Sequence, residues 1–304
     1  MANPNLKENK LKRIIAVSLR GVVRFFSPTA YVKLQYRYIT HHKLILKNPI
    51  RYTAKLQYLR LFVYPNDITY SVLASKAGVR NYVEECGLKD ILIPSYGVFD
   101  SYEDINFNDL PSQFVLKCTH ASGFNAIILE KEKIDHKELK KRFRKYLKTD
   151  IGKKSVEKHY SPIIPQIIVE QYVGNENALP IEYKIHVFNG KAKYLYVVTG
   201  RGKDIRYDNF YIDWTPFDGA QFNGWKSSDI KPKKPSNFDA MIKIAETLAK
   251  NVVFCRVDLF DVAGKIYFNE MTFTPAKGTL IFDDDKADFE IGKWLNISDF
   301  TESK

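Results

Sequence analysis

Cysteine is scarce in this chain of 304 residues. Cys86, Cys118 and Cys255 are the only three, too few and too scattered for a disulfide framework or a zinc site. A reducing, cytoplasmic setting is therefore expected. No apolar run reaches the roughly 20 residues that cross a bilayer, and the first apolar stretch does not end in a signal-peptidase site. There is no internal repeat and no low-complexity segment. Zinc-finger, RNP and KH signatures are absent, and so is the P-loop pattern. Acid is missing from one region. Residues 1–60 hold Glu8 as their single acidic side chain, and the whole formal charge of +12 lies there, because the remaining acids and bases balance.

What is present is a globular composition, 45% hydrophobic, with ample length for a core. The basic region reads as an N-terminal extension over residues 1–68. Within it Leu11, Ile14, Ile15, Leu19, Val22, Val23 and Phe26 follow helical spacing, with Lys10, Lys12, Arg13, Arg20 and Arg24 between them. An interfacial helix fits this pattern, and so does a helix packed on the body. The charge over residues 7–60 points to an anionic membrane surface as partner, with nucleic acid the weaker option.

Further on, Ser71 to Cys86 reads as one helix stopped by Gly87, with Lys76 and Arg80 on one face. Ile91 to Pro94 reads as a short strand. Phe114 to Cys118 and Ala126 to Leu129 read as strands around the small-residue loop Thr119 to Gly123. Lys117, in an apolar strand before such a loop, fits a phosphate clamp and equally an edge-strand lysine. Glu130 to Lys148 reads as a charged helix, and Ile167 to Gly174 as a strand leading into a loop. Glu182 to Phe188 and Lys191 to Thr199 form a hairpin about Asn189-Gly190, with Lys184 and His186 on one face. Residues 200–235 read as a long functional loop carrying Arg201, Lys203 and Arg206. Asn237 to Lys250 reads as a helix.

The chain then reaches a second hairpin, Phe254 to Phe260 and Ile266 to Thr272. With a three-residue loop of Ala263, Gly264 and Lys265, Asp258 faces Glu270 and Arg256 faces Thr272, all on one side of the sheet. Asn269 falls on the other side in this pairing. Opposed carboxylates repel unless a cation lies between them. A Mg²⁺-nucleotide site fits, and a solvated polar hairpin face fits equally.

In this order the parts resemble the ATP-grasp superfamily, including D-alanine–D-alanine ligase. The stretches FVLKCTHASG, EYKIHVFNGK and RVDLFDVAGKIYFNEMTFTPAKG resemble its TupA-like branch, named for teichuronopeptide biosynthesis and found among bacterial capsule, exopolysaccharide and O-antigen genes. The resemblance runs from about residue 70 to 290. It implies an α/β (α+β) ATP-grasp fold, with the nucleotide sandwiched between two antiparallel-sheet subdomains. The catalytic region would be 69–304, with a small ATP-binding subdomain at 112–174 and a Mg²⁺-binding one at 175–304.

The resemblance also assigns roles. Lys117 and Lys76 would contact ATP phosphates, and His120, Ser122 and Gly123 would belong to a lid loop over them. Glu170 would face the adenine amino group, Gln171 and Val173 would complete the hinge, and Glu176 would hold the ribose. Asp258, Glu270 and Thr272 would hold Mg²⁺, Thr272 standing where the ligases carry asparagine. Arg256 would steady an anionic intermediate, and Lys184 would approach the γ-phosphate. The implied activity is a carboxylate–amine ligase acting through an acyl phosphate. It would join an amine such as an amino acid to a sugar acid or acidic glycan, at the inner face of the cell membrane. A sugar or polyol kinase is the alternative on the same fold. A glycosyltransferase using Asp283-Asp284-Asp285 is the other.

Overall fold

The computed structural model describes residues 21–174 and 179–301. Residues 11–20 of the expected amphipathic helix and the expected ribose ligand Glu176 lie outside them. The chain divides into two units, residues 1–45 and 46–304.

In the smaller unit residues 21–26 are helical, and a helix follows over Pro28–Thr40. Ser27 caps it by accepting from the Ala30 N–H at 3.2 Å, and Pro28 stands where its missing N–H costs nothing. His41, at a φ of 61°, ends it in the left-handed conformation.

The larger unit begins well before the boundary expected at residue 68. Its helix Tyr52–Phe62 buries Tyr52, Leu56 and Leu59 in the main core. That helix is tied to a second, Asp285–Trp294. The buried Asp288 carboxylate accepts from the Thr53 N–H at 2.9 Å and from its hydroxyl at 2.7 Å, and Arg51 pairs with Asp285 at 2.5 Å. The approach needs Gly292, where a Cβ would lie 2.2 Å from the Ile50 carbonyl oxygen.

Two antiparallel sheets carry the rest. Strands β1 (Ser95–Phe99), β2 (Phe114–Cys118), β3 (Asn125–Ile128) and β4 (Ile167–Gln171) form a four-stranded sheet in the order β1-β4-β2-β3. Alternation sends Phe114, Leu116 and Cys118 of β2 and Ile167 and Val169 of β4 into a small core, closed by Leu139 and Phe143 of the helix His136–Leu147. Val115 and Lys117 take the opposite face.

Strands β5 (Ile181–Phe188), β6 (Lys191–Thr199), β7 (Arg206–Tyr211), β8 (Phe254–Val262) and β9 (Lys265–Thr272) form a five-stranded sheet in the order β7-β6-β5-β8-β9. Asn189 and Gly190, with φ of 47° and 78°, make the two-residue turn between β5 and β6 that an Asn-Gly pair favours. The helix Phe238–Leu248 supplies Met241, Ile244, Ala245 and Leu248 to the core with Tyr183, Ile185 and Val187. Glu182, Lys184 and His186 alternate with those β5 residues and so share the other face.

Some elements differ from expectation. The single helix over Ser71–Cys86 is two, Ile68–Ala74 and Gly78–Glu85. It breaks because the Lys76 N–H bonds the Thr119 carbonyl at 3.0 Å and the Ser75 hydroxyl caps the Gly78 N–H at 3.1 Å. Ile91 to Pro94 is not a strand: a 3₁₀ turn covers Lys89–Ile91 and β1 starts at Ser95. The charged helix starts at His136, where the Asp135 side chain accepts from the Glu138 N–H at 2.9 Å. The loop over 200–235 contains β7, which extends the sheet by pairing with β6. Among the described residues no helix is long and apolar enough to cross a membrane.

Candidate active site

Strands β8 and β9 pair Asp258 with Glu270 and Arg256 with Thr272, as the pattern predicts but by a different route. The turn has two residues, Ala263 and Gly264, so Val262 pairs with Lys265. Asn269 is then inserted as a β-bulge between the Leu259–Phe268 and Asp258–Glu270 pairs. Turn and bulge together shift the register by the same one residue as a three-residue loop. The bulge also redirects Asn269, which the simple pairing puts on the far side. Asn269 joins Glu270 on the wall of a cavity of about 380 Å³, a size usual for small-ligand sites.

Both sheets line this cavity. Val115, Lys117, Ile127, Gln171 and Val173, with Ser122 and Gly123 of the small-residue loop, come from the four-stranded side. Glu182, Lys184, Tyr196, Arg256, Asn269 and Glu270 come from the other. Lys117 Nζ pairs with Glu170 Oε2 at 2.7 Å and donates to Asn269 Oδ1 at 3.2 Å. Arg80 holds the other Glu170 oxygen at 3.3 Å. Lys76 Nζ donates to Glu270 Oε2 at 3.1 Å and to the Ala121 carbonyl at 3.0 Å, tying the small-residue loop to β9. The helix break at Ser75–Ala77 puts Lys76 beside that loop.

Arg256 grips Asp258 with a two-pronged bond, Nε to Oδ1 at 2.6 Å and Nη2 to Oδ2 at 2.7 Å. It also donates to the Tyr196 hydroxyl and to Thr272 Oγ1, each at 3.0 Å. Lys184 lies between Asp258 and Glu182, the latter at 2.8 Å. Arg201 meets Glu182 at 2.5 Å and Asn269 donates to the same carboxylate at 3.0 Å. Burial and neighbouring Arg256 push the Lys184 pKa down, but Asp258 and Glu182 outweigh them and the ammonium is held charged. Burial pushes Glu270 up, yet Lys76, Lys184 and Arg256 hold it below the usual carboxylate range. The cluster thus sets six cationic side chains, Lys76, Arg80, Lys117, Lys184, Arg201 and Arg256, against four carboxylates, Glu170, Glu182, Asp258 and Glu270. The excess positive charge faces a partly apolar cleft, which suits a polyanion carrying a flat ring.

The expected site residues fall into distinct places. Lys117, Ser122, Gly123, Gln171, Val173, Lys184, Arg256 and Glu270 lie on the cavity wall. Lys76, Glu170, Asp258 and Thr272 stand behind it as ion-pair or hydrogen-bond partners of wall residues. His120 turns away. Its buried ring bonds the Tyr146 and Thr149 carbonyls, each at 3.2 Å from Nε2, so it anchors the start of the small-residue loop. Glu182, Asn269, Tyr196 and Arg201 are further wall residues. Of these Glu182 was discoverable, since it precedes Lys184 by two positions and must share its face.

Among the described residues, no group of three or more His, Cys, Asp or Glu side chains is placed to hold a metal ion. Of the expected trio Asp258, Glu270 and Thr272, Glu270 is on the wall and the other two stand behind it. Asp258 is fully buried, with both oxygens engaged by Arg256 and Lys184, and Thr272 is engaged by Arg256. Glu270 and Asn269 are neighbouring oxygen donors on the wall, with Glu182 close by, and they fit a hard cation such as Mg²⁺. Asp258 joins them only by releasing Lys184. The acidic run Asp283-Asp284-Asp285 is accounted for structurally: Asp284 caps the helix Asp285–Trp294 by accepting from the Lys286 N–H at 2.9 Å, and Asp285 pairs with Arg51.

Two antiparallel sheets closing on a cation-rich cleft define an α+β protein of the ATP-grasp type. The chain belongs to the TupA-like ATP-grasp family, whose model matches residues 54–296. Solved structures similar to it at low level include the following three. D-alanine–D-alanine ligase from Bacillus anthracis, complexed with ATP, is 15% identical over 66% of this chain and 54% of its own, with a TM-score of 0.37. L-amino acid ligase from Bacillus licheniformis is 14% identical over 68% and 44%, with a TM-score of 0.43. N5-carboxyaminoimidazole synthetase from Staphylococcus aureus, complexed with ADP, is 13% identical over 68% and 46%, with a TM-score of 0.40. The chain thus spans about half the length of these structures, and similarity at this level transfers no residue role. No curated protein matches the chain in sequence.

Proposed function

We propose that this protein is an ATP-dependent carboxylate–amine ligase, forming a carbon–nitrogen bond between a sugar acid of a bacterial surface polysaccharide and an amino acid or related amine. The observation that carries the reading is the convergence of Lys117, Lys184 and Arg256 on one cleft between the two sheets, with Lys76 behind Glu270 of its wall. Family membership supports the nucleotide. In the overall reaction the acid's carboxylate takes the γ-phosphoryl group, releasing ADP, and the amine then displaces phosphate from the acyl phosphate.

Each residue has a part in this reading. Lys117 and Lys184 neutralise phosphate oxygens, exchanging their pairing with Glu170 and Asp258 for the ligand. Ser122 and Gly123 offer backbone N–H groups above it. Val115, Ile127 and Val173 hold the base, with Gln171 at the hinge. Glu270 and Asn269 would hold Mg²⁺, which supplies charge neutralisation at the phosphates. Arg256, held by Asp258 and Tyr196, faces the negative charge that gathers on the reacting carboxylate. The basic N-terminal segment would keep the enzyme at the anionic inner leaflet, where Val22, Phe25 and Phe26, 55%, 80% and 79% exposed, suit an interface.

The test is ADP release by the full chain with Mg-ATP over a panel of uronic acids and amines. The reading requires release that depends on both an acid and an amine. A phosphorylated sugar that persists without amine would make the protein a kinase.

A further inference from the structure

Part of the cavity wall is left unused by the nucleotide in the reading above. There the wall is made by Tyr207, Trp225 and Arg201. The aromatic rings form a row that leads back to the reaction centre. The guanidinium carbon of Arg256 lies 5.8 Å from the Tyr196 ring centre, Tyr196 lies 6.4 Å from Tyr207, and Tyr207 lies 4.1 Å from Trp225. The outer member, Trp225, stays 38% exposed.

Trp225 is held in place rather than left on a free loop. Its backbone N–H bonds the Phe222 carbonyl at 2.9 Å, and its backbone carbonyl accepts from Gln221 Nε2 at 2.8 Å. Gln221 is in turn fixed by Asn209 Nδ2 at 3.1 Å. The residues after it are anchored on Asp208, a fully buried carboxylate that accepts from the Ser228 N–H at 3.1 Å, the Ser228 hydroxyl at 2.7 Å and Lys231 at 3.1 Å. An exposed indole on a backbone fixed by polar groups, its ring packed 4.1 Å from Tyr207 and 5.0 Å from Phe222, is organised for a ligand.

The charge beside it narrows the ligand. Of Arg201, Lys203 and Arg206, only Arg201 is on the wall. Arg206 is turned to Asp204 and the Ser227 carbonyl. Arg201 uses Nε and Nη2 on one oxygen of Glu182, at 3.0 and 2.5 Å, and 36% of its side chain remains exposed. Glu182 is shared with Lys184 and Asn269, so it does not cancel the arginine alone. A flat aromatic face takes the C–H face of a sugar ring, and a guanidinium takes a carboxylate.

Building on the ligase reading above, we propose that Trp225, Tyr207 and Arg201 form the acceptor subsite, which selects a pyranoside carrying a carboxylate over its neutral counterpart. The ring lies on the Tyr207–Trp225 pair. The carboxylate is drawn to Arg201, next to Lys184 and Arg256.

The experiment is saturation-transfer NMR on the full chain with methyl β-D-glucuronoside and methyl β-D-glucoside as probes, beside a thermal shift with Mg-ATP. The native chain should bind the glucuronoside at least tenfold more tightly than the glucoside. Arg201→Gln and Trp225→Ala should each lose at least tenfold of glucuronoside binding, and Trp225→Ala should keep the native Mg-ATP shift. Trp225→Phe should restore most of it. Equal binding of the two glycosides, or no binding of either, overturns the subsite while the Mg-ATP shift leaves the nucleotide reading standing. The absence of a Mg-ATP shift in the native chain overturns both. The glycoside comparison on the native chain decides the matter even if Trp225→Ala does not fold.

Discussion

Lys117 of the four-stranded sheet donates across the cleft to Asn269 of the five-stranded sheet, at 3.2 Å. The bond exists because a bulge brings Asn269 onto the wall beside Glu270. Asn269→Leu should therefore damage the site. It removes a metal-type oxygen and leaves Glu182 short of a donor. Glu182 keeps Lys184 and Arg201 as partners, so the fold should hold, while ADP release should fall roughly tenfold, about 1.4 kcal/mol of barrier, and demand more Mg²⁺. A Mg²⁺ titration of native and variant chains checks this. Unchanged Mg²⁺ dependence would mean that the bulge is only structural.

That prediction also marks where sequence patterns stop. The partners Asp258–Glu270 and Arg256–Thr272 follow from strand alternation and a short turn, because a two-residue turn plus one bulge equals a three-residue loop in register. Asn269 does not follow, since alternation knows nothing of an inserted residue. The Asn-Gly hairpin is legible because its turn chemistry is local. The helix break at Ser75–Ala77 is not, because its cause is a bond to Thr119, 43 positions on in the chain from Lys76. Strand β7 is hidden for the same reason: its pairing with β6 makes it a strand, and its own residues carry only weak alternation. His120 reads as part of a loop over phosphates, yet its contacts lie with two carbonyls of a distant helix end.

Arg256→Lys should separate binding from chemistry. A lysine keeps the charge but cannot reproduce the fork on Asp258 together with the bonds to Tyr196 and Thr272. The turnover rate should drop by roughly 100-fold or more, as when an oxyanion donor is lost, while the nucleotide thermal shift persists. Steady-state kinetics beside that shift would show it.

His159 should make the fold acid-sensitive. Burial, with Arg60 nearby, lowers its pKa to about 3, against about 6.5 in the unfolded chain. Between these values the unfolded state binds the extra proton. Stability is therefore full above about pH 6.5 and is lost as pH falls toward 3, by up to about 1.4 kcal/mol per pH unit. The ring packs among Tyr64, Tyr160 and Phe273, so His159→Phe should flatten this part of the curve. Urea unfolding at a series of pH values would read the slope, and an identical slope in the variant would assign it to another group.

The N-terminal segment should bind anionic vesicles. Sedimentation with phosphatidylglycerol vesicles at 0.1 M salt should remove the chain from solution, and 0.5 M salt or neutral phosphatidylcholine should leave it there. Phe25→Glu with Phe26→Glu should weaken binding at low salt. Equal binding to both lipids would argue against an electrostatic anchor.

Whether the cleft between the sheets takes ATP is decided by thermal unfolding with and without Mg-ATP. At about 100 times its dissociation constant the ligand should add roughly 2.7 kcal/mol of stability to the native chain. The added stability should vanish in Lys117→Met, in which Glu170 keeps Arg80 as its partner. A shift of equal size in that variant, a shift only with a UDP-sugar, or no shift in the native chain would rule out an ATP site in this cleft.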